Sequence, residues 1–245
     1  MHMIDFHTHI LHNIDDGSQS LDESLELLRE CGKQGVTHVV MTPHFYPYMT
    51  NPETFLSKRD RAFIELKERI EKESASCGAE WPELIIGSEV YYFPELINMV
   101  DLKRLCIGNS KYLMIELLNE NWNDNIYFIF ERLIVNKGII PVIAHAERIL
   151  RKSSDFKLLD DLIRIGALPQ INTEYLTGFL TGRKAVKELK KGKFFLIGSD
   201  CHNNTDRPPN MLKAFSAIEK YGGKELAESL LKEHKKVLNN IIDFS

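Results

Sequence analysis

Six short apolar runs, each ending in a histidine or a glutamate, limit the possible folds of this chain more than any other feature. Their almost unbroken apolar composition indicates strands that are buried on both faces. The runs read MIDFH, HVVMTPH, ELIIGSE, YLMIE, IIPVIAH and FFLIGSDCH. In a barrel of parallel strands the carboxyl ends meet at one rim, so polar residues from six strands are predicted to gather there.

Helical segments alternate with these runs, and four helical patterns stop at a glycine just before the next run, at Gly35, Gly138, Gly166 and Gly192. Glycine at a helix end supplies the left-handed backbone that closes the helix. Repeated βα units of this kind predict parallel strands with right-handed crossovers. The predicted strands lie near residues 3–7, 37–42, 84–88, 112–116, 139–144, 167–171 and 194–198.

We therefore expect an α/β fold, a distorted seven-stranded (β/α) barrel of the TIM-like kind, closed or nearly closed. The alternative is an open doubly wound sheet, in which ligands gather at one switch point drawn from a few strands. Six contributing strands favour a ring. Because nothing in the composition marks a seam, residues 1–245 are predicted to form a single domain.

Several helix boundaries are also predicted. Ser20 with Glu23 three residues later matches a capping box, and Asp124 and Asp155 resemble N-caps. The highly charged segment 53–77 is predicted to be a helix with a solvated face that carries its arginines, among them Arg59. Two more helices are predicted at 210–221 and 223–239.

Composition excludes some classes of protein. A formal charge of −4 argues against nucleic acid or an anionic membrane surface as the main partner. No apolar stretch reaches the ~18 residues of a membrane span, and no signal segment is recognisable. The four cysteines have neither disulfide nor zinc-knuckle spacing, so a cytoplasmic protein without a Cys-based metal site is expected.

Residues that bind divalent cations lie where the predicted strands end. His7 and His9 alternate along an extended strand and therefore share a face, and Asp200 and His202 repeat that spacing. Glu89 follows an almost wholly apolar strand, where a carboxylate needs a compensating positive charge. The candidate metal ligands are His7, His9, Asp16, His44, Glu89, Glu116, His145, Asp200 and His202.

Five imidazoles and four carboxylates suit zinc, manganese or iron better than magnesium or calcium. With ~3 or 4 protein ligands per ion, and one carboxylate shared, nine ligands hold about three ions. Three divalent ions outweigh four carboxylates, so the site is net positive and suits a dianion such as a phosphate monoester. Arg148 and Arg207 follow the ligand motifs and are the candidate phosphate-binding residues.

With MIDFHTHILHNIDDGSQSLDESLELL, TPHF, GSEV, AHAER and GSDCHN in this order, the chain resembles the polymerase and histidinol phosphatase (PHP) superfamily. More narrowly, it is similar to the bacterial manganese-dependent protein-tyrosine phosphatases of capsule and exopolysaccharide systems, the CpsB and YwqE type. The His-x-His-Ile-Leu start followed by Asp-Asp-Gly is specific to that branch. Histidinol phosphatases usually have a histidine near the place of Asp16 and another near Glu116. His12 and Cys201 replace a frequent proline and alanine, and neither is a ligand position.

This resemblance implies a distorted seven-stranded barrel of the PHP type with three metal sites, most often for Mn²⁺. The first site would use His7, His9, Glu89 and Asp200. The second would share Glu89 and add Glu116 and His145. The third would take Asp16, His44 and His202, and Arg148 and Arg207 would bind phosphate.

The resulting hypothesis is metal-dependent hydrolysis of phosphotyrosine in a protein. The resemblance implies the phosphorylated tail of a bacterial tyrosine autokinase that controls polysaccharide export as the partner. Phe45, Tyr46 and Tyr48, in the Pro- and aromatic-rich loop 45–52, are candidates to line the slot for the tyrosyl ring. The alternatives are a phosphatase for histidinol phosphate or another small molecule, a phosphodiesterase that the acidic charge disfavours, and a metal-binding partner protein without turnover.

Overall fold

The computed structural model describes residues 2–77 and 80–242, and they form an α/β fold in which all strand pairs are parallel. The strands of this part of the chain are β1 (Met3–Thr8), β2 (Val36–Met41), β3 (His44–Phe45), β4 (Glu83–Ile86), β5 (Glu89–Tyr91), β6 (Tyr112–Glu116), β7 (Ile140–Ile143), β8 (Leu168–Asn172) and β9 (Leu196–Gly198). Its α-helices are α1 (Leu21–Lys33), α2 (Pro52–Cys77), α3 (Asp124–Lys137), α4 (Ser153–Ile165), α5 (Thr173–Thr177), α6 (Gly182–Lys190), α7 (Met211–Gly222) and α8 (Lys224–Ile242). The predicted parallel order and the two C-terminal helices are confirmed.

Each of the seven predicted strands has a counterpart, and two short strands that were not predicted, β3 and β5, follow β2 and β4, so the described residues contain nine strands. Pro43 separates β2 from β3 and has no amide hydrogen for the ladder. Gly87 and Ser88 separate β4 from β5. The buried side chain of Arg59, on α2, donates a hydrogen bond from Nη1 to the Gly87 carbonyl oxygen at 3.2 Å. The sequence prediction therefore missed the two short strands β3 and β5.

The strands form two hydrogen-bonded sheets that curve into a parallel half-barrel. One sheet has the order β1-β2-β4 and the other the order β3-β5-β6-β7-β8-β9. The carboxyl end of β1 meets the segment after β9 through a bridge between Thr8 and Cys201. The His7 carbonyl accepts from the Asp200 amide at 2.8 Å, and the His9 amide donates to the Cys201 carbonyl at 2.9 Å. The ends that carry the candidate ligands are therefore tied together by backbone hydrogen bonds.

Both faces of most strands are buried, as the apolar runs predicted, whereas in β4 Glu83 is exposed and the other three residues are half-buried. Along β6, Leu113 and Ile115 belong to a large core shared with the helices, whereas Tyr112 and Met114 belong to a second, smaller core. Leu238 and Ile241 of α8 close the smaller core. At roughly 25 cal/mol per Å² of apolar surface, this two-sided burial is the main stabilising contribution to the fold.

The helix ends agree only partly with prediction. Ser20 is the N-cap of α1 and accepts from the Glu23 amide, as predicted, but the Glu23 carboxylate accepts from the Gln19 amide, one residue before the cap. The N-cap of α3 is Asn123 rather than Asp124. Asp155 is likewise not a cap residue, because it lies inside α4 and accepts from the Lys152 amide at 2.9 Å.

The expectation that the arginines of α2 lie on a solvated face was wrong for Arg59. Its side chain is buried and donates to the Ser88 hydroxyl at 2.9 Å and to the Arg104 carbonyl at 3.1 Å. Arg59 therefore fixes the break between β4 and β5, directly before Glu89. Among the described residues, no helix is both long and apolar enough to cross a membrane.

Candidate metal centre

The strand ends bring the predicted ligands together in one cluster. His7 is on β1, His44 on β3, Glu89 on β5 and Glu116 on β6, while His145 follows β7. His9 and Asp16 follow β1, and Asp200 and His202 follow β9. All nine predicted residues are linked by contacts of 4 Å or less to another member of the set. The side chains at the ends of six strands therefore lie together at one rim.

Glu89 is the centre of this cluster. Its carboxylate is fully buried, and Oε2 lies 3.2 Å from His7 Nε2, 3.3 Å from His9 Nε2 and 3.0 Å from His44 Nδ1. Its other oxygen, Oε1, lies 2.8 Å from His145 Nε2. One carboxylate that faces four imidazoles is suited to bridging two cations.

Three groups of side chains have ligand atoms within 4.8 Å of one another. They are His7, His9 and Glu89; His44, Glu89 and Glu116; and His9, Asp16, His44 and His202. The remaining two predicted ligands lie beside these groups. Asp200 Oδ1 is 3.4 Å from His9 Nε2, and His145 Nε2 is 3.5 Å from Glu116 Oε1.

Several buried atoms of the cluster have no hydrogen-bond partner among the described residues. These atoms are His44 Nδ1, Glu89 Oε2 and His202 Nε2. His44 Nδ1 and Glu89 Oε2 are 3.0 Å apart, but the angles between the two groups are unsuitable for a hydrogen bond. Burying a polar atom without a partner costs about 1–3 kcal/mol. Lone pairs that point into a shared space are the arrangement a cation requires, so these residues fit divalent metal ions.

The electrostatics of the cluster agree with this conclusion. Burial disfavours charge on Glu89, but the histidines His7 and His44 outweigh it and hold the pKa of this carboxyl well below its usual range. Burial also opposes protonation of His9, but Asp15 and the other carboxylates raise its pKa well above the ordinary value. The buried carboxylates thus attract positive charge, which either protons or cations supply.

The two predicted phosphate-binding arginines converge at the rim of the cluster. Arg148 Nη2 and Arg207 Nη2 each lie 2.7 Å from the same oxygen, Asp200 Oδ2. Both side chains remain partly exposed, so their other N–H groups are accessible to a ligand. Two guanidinium groups beside an exposed rim form a site for an anion with several oxygens.

The backbone is strained at two of these positions. His145 and Asp200 have φ values of 32° and 55°, which are uncommon for residues with a side chain. Such strain costs of order 1–3 kcal/mol per residue and occurs mostly at functional sites, where the surroundings enforce it. Both residues are predicted ligands.

Two glycines allow the first strand to approach the cluster closely. A Cβ at Gly198 would lie 2.4 Å from His7 Cβ, and a Cβ at Gly17 would lie 2.1 Å from the His9 carbonyl oxygen. Any side chain at either position would displace a histidine of the cluster.

Sequence reasoning missed residues that support the ligands. Asp15 Oδ2 accepts from His9 Nδ1 at 2.7 Å and from the His44 amide at 2.8 Å. Gln170 and Asn172, both buried on β8, contact cluster residues as well. The signal was present in LPQIN, since two polar residues at a spacing of two inside a buried strand need partners.

The aromatic loop differs from expectation at Phe45. This side chain is fully buried and packs on Phe55 of α2, with ring centroids 5.0 Å apart, so it does not line a slot. Tyr46 stacks on His44 at 4.9 Å, and Tyr48 and Tyr91 complete a cluster of three tyrosines. Tyr91 belongs to β5 and was not singled out from the sequence.

The fold and the cluster define a parallel α/β protein whose strand ends carry a candidate centre for several metal ions. Residues 3–239 match the family model described as "Capsular polysaccharide synthesis, CpsB/CapC". The chain belongs to this family.

Two curated relatives cover nearly the whole chain. The tyrosine-protein phosphatase CpsB of Streptococcus agalactiae is 32% identical over 97% of this chain and 99% of its own length. The tyrosine-protein phosphatase YwqE of Bacillus subtilis is 28% identical over 97% of this chain and 92% of its own length. The suspected resemblance to the CpsB and YwqE type is confirmed.

A solved structure has the same fold. It comes from the crystal structures of YwqE from Bacillus subtilis and CpsB from Streptococcus pneumoniae, described as unique metal-dependent tyrosine phosphatases. It superposes with a TM-score of 0.83 at 28% identity and covers 97% of this chain and 95% of the matched chain.

Proposed function

We propose that this protein is a metal-dependent phosphatase that removes phosphate from phosphotyrosine in proteins. The observation that carries the proposal is the cluster of nine ligand-type side chains with two arginines converging on its rim. The relatives described above are tyrosine-protein phosphatases by name, which supports the same substrate class.

The proposed centre holds about three divalent ions, assigned as Mn²⁺ from the resemblance, with iron and zinc as alternatives. His7, His9, Glu89 and Asp200 hold the first ion. Glu89 also serves the second, together with Glu116 and His145. Asp16, His44 and His202 hold the third. These assignments are supported by the contacts of Glu89 with four histidines and by the partnerless nitrogens of His44 and His202.

When bound, divalent ions supply activation of water and neutralisation of phosphate charge. The residues of the chain provide the rest of the chemistry. Arg148 and Arg207 bind the phosphate oxygens with N–H groups that Asp200 does not occupy, and they stabilise the charge that develops during in-line displacement. The leaving phenolate has a conjugate acid with a pKa near ~10, so a strong general acid is not essential.

The tyrosyl ring of the substrate lies against Tyr46 in this proposal. Tyr46 stacks on His44, and a cavity of about 450 Å³ opens beside both residues, between the loop after β3 and α2. Burial and the nearby Glu116 and Glu89 carboxylates raise the pKa of Tyr46. The rings of Tyr48 and Tyr91 pack against the Tyr46 ring and against each other.

The physiological substrate in this proposal is the phosphorylated tail of a bacterial tyrosine autokinase in capsule or exopolysaccharide synthesis. The description of the family as one of capsular polysaccharide synthesis supports that context. The predicted cytoplasmic location is consistent with a substrate of this kind and stays a prediction.

We also propose that residues 1–245 form one domain, and that the nine strands of its described residues occupy seven positions of a distorted barrel of the PHP type. Residue 1, residues 78–79 and residues 243–245 lie outside the described part of the chain. β2 with β3, and β4 with β5, would each count as one interrupted strand. The bridge between Thr8 and Cys201, which joins the two sheets at the ligand end, supports closure there.

Phosphate release from a tyrosine-phosphorylated peptide and from histidinol phosphate, measured side by side with Mn²⁺ and with a chelator, tests the proposed function. We expect faster turnover of the peptide and loss of activity with the chelator. Preferential turnover of histidinol phosphate would contradict the substrate class. Metal binding without release from either substrate would favour a binding protein.

A further inference from the structure

We propose that Gln170 and Asn172 of β8 are positioning residues that orient His7, His145 and Asp200 for metal binding. The inference rests on the proposed metal centre and adds to it two residues that are not among the nine candidate ligands. β8 lies between β7 and β9, each of which is followed by predicted ligands, but β8 contributes none of the nine.

A continuous chain of hydrogen bonds starts from these two amides. Gln170 Oε1 lies 3.1 Å from His7 Nδ1 and accepts from the His145 backbone amide at 2.7 Å. Gln170 Nε2 donates to Asn172 Oδ1 at 2.8 Å, and Asn172 Nδ2 donates to Asp200 Oδ2 at 2.7 Å. Gln170 is fully buried and Asn172 nearly so, which makes these bonds costly to lose.

The direction of this chain is fixed at both ends. The backbone amide of His145 can only donate, so the oxygen of Gln170 must face it. An ionised Asp200 can only accept, so the nitrogen of Asn172 must face that carboxylate. Between these two ends, the Gln170 side chain donates and the Asn172 side chain accepts. Rotating either amide group by 180° would place two donors or two acceptors opposite each other.

This direction determines which nitrogen of His7 carries hydrogen. Because Gln170 Oε1 is an acceptor, His7 Nδ1 must be the donor. In neutral His7, Nε2 is then the unprotonated nitrogen, and it lies 3.2 Å from the central Glu89 Oε2. Gln170 thus presents the metal-binding nitrogen of His7 to the cluster.

The same series of hydrogen bonds also contacts the two candidate ligands with strained backbones, His145 and Asp200. Gln170 binds the amide of His145, whose φ of 32° is unfavourable, and fixes the backbone from which that imidazole extends. Asn172 joins Arg148 and Arg207 on Asp200 Oδ2. Oδ1 of Asp200 is thereby left on the side of the histidines.

Titration of Mn²⁺ into metal-stripped protein, followed by calorimetry, tests the proposal. Gln170→Met removes the amide while keeping side-chain length, and Asn172→Leu removes the second amide at similar volume. We expect each to weaken Mn²⁺ binding by about 10–100-fold, the range typical for residues that orient metal ligands. Phosphate release should fall in parallel.

Ile171→Val is the matched control. Ile171 lies between the two amides on the opposite face of β8, is fully buried in the larger core and contacts none of the predicted ligands by hydrogen bond. This change lowers the free energy of unfolding but leaves the hydrogen bonds of Gln170 and Asn172 in place. The Mn²⁺ affinity should therefore stay within about threefold of wild type. Thermal unfolding of the metal-stripped proteins separates lost stability from lost affinity.

Wild-type affinity in both amide variants, or an equal loss in Ile171→Val at matched stability, would overturn the positioning role. Either result leaves the proposed phosphatase activity standing if the wild-type enzyme releases phosphate. Conversely, weakened Mn²⁺ binding in the two variants would support the inference even if phosphotyrosine proved not to be the substrate. If one variant fails to fold, the other still decides the question.

Discussion

Replacing His234 with leucine should remove much of the loss of stability that this protein undergoes in mild acid. His234 lies on α8, fully buried, with its ring edge-on to Phe6 at 5.1 Å and to Phe215 at 6.2 Å. Burial lowers its pKa from 6.5 to about 4, against the weaker opposing effects of the Phe195 backbone and of Glu233. The folded protein therefore holds this imidazole neutral.

The sign of the effect follows from linkage. Below pH 6.5 the unfolded chain takes up a proton at His234, whereas the folded protein does so only near pH 4. The contribution of neutral His234 to the free energy of unfolding is thus fully present above pH 6.5 and decreases as the pH falls towards 4. The shift corresponds to about 3 kcal/mol in full, of which about 2 kcal/mol is lost by pH 5.

Urea unfolding of metal-stripped wild type and His234→Leu at pH 8 and pH 5 measures this difference. The stripped protein is used because metal binding itself depends on pH. Between the two pH values, wild type should lose about 2 kcal/mol more than the variant, which is about 1 M in urea midpoint. Parallel losses in the two proteins would refute the assignment of a neutral, buried His234.

Four further substitutions, one of them a control, test the site. Arg148→Lys keeps the charge but removes the planar fork, so kcat/KM for the phosphotyrosine peptide should fall about 10-fold with Mn²⁺ content unchanged; metal loss would contradict this role. Gly198→Ala would place a methyl group 2.4 Å from His7 Cβ and should cost about 1–3 kcal/mol in urea unfolding and weaken Mn²⁺ binding. Gly138→Ala, with no atom within 4 Å, should cost only about 1–2 kcal/mol of backbone strain and leave Mn²⁺ affinity intact, and equal affinity in both glycine variants would refute the argument. Tyr46→Ala should raise KM for the peptide several-fold more than KM for a phosphate monoester without a ring, such as glycerol phosphate, and an equal rise would exclude a ring slot.

Much of the candidate site could be predicted because most of the candidate ligands lie at the end of an apolar strand or just after it. A polar side chain directly after a buried run, as in YLMIE, lies at the strand end whatever the details of packing. Helix ends marked by glycine were predictable for a similar local reason. Gly138 and Gly166 are the left-handed C-caps of α3 and α4.

What could not be predicted depends on contacts between distant segments. The break before Glu89 involves Arg59, which reaches from α2 to the Gly87 carbonyl. The role of Gln170 requires β1 and β7 to lie on either side of its amide group, as its bonds to His7 and His145 demonstrate. The cap of α3 was misplaced by one residue because Asn123 and Asp124 are equally good capping side chains when only the sequence is considered.

Titrating Mn²⁺ into metal-stripped wild type and Glu89→Gln, while phosphate release from a tyrosine-phosphorylated peptide is followed, tests the central claim most directly. Glu89 Oε2 contacts three histidines and Oε1 a fourth, so its charge is essential to the proposed centre. We predict that wild-type activity appears as Mn²⁺ binds and that Glu89→Gln binds Mn²⁺ weakly and releases little phosphate. Full activity in the stripped wild type, or in Glu89→Gln, would contradict the account.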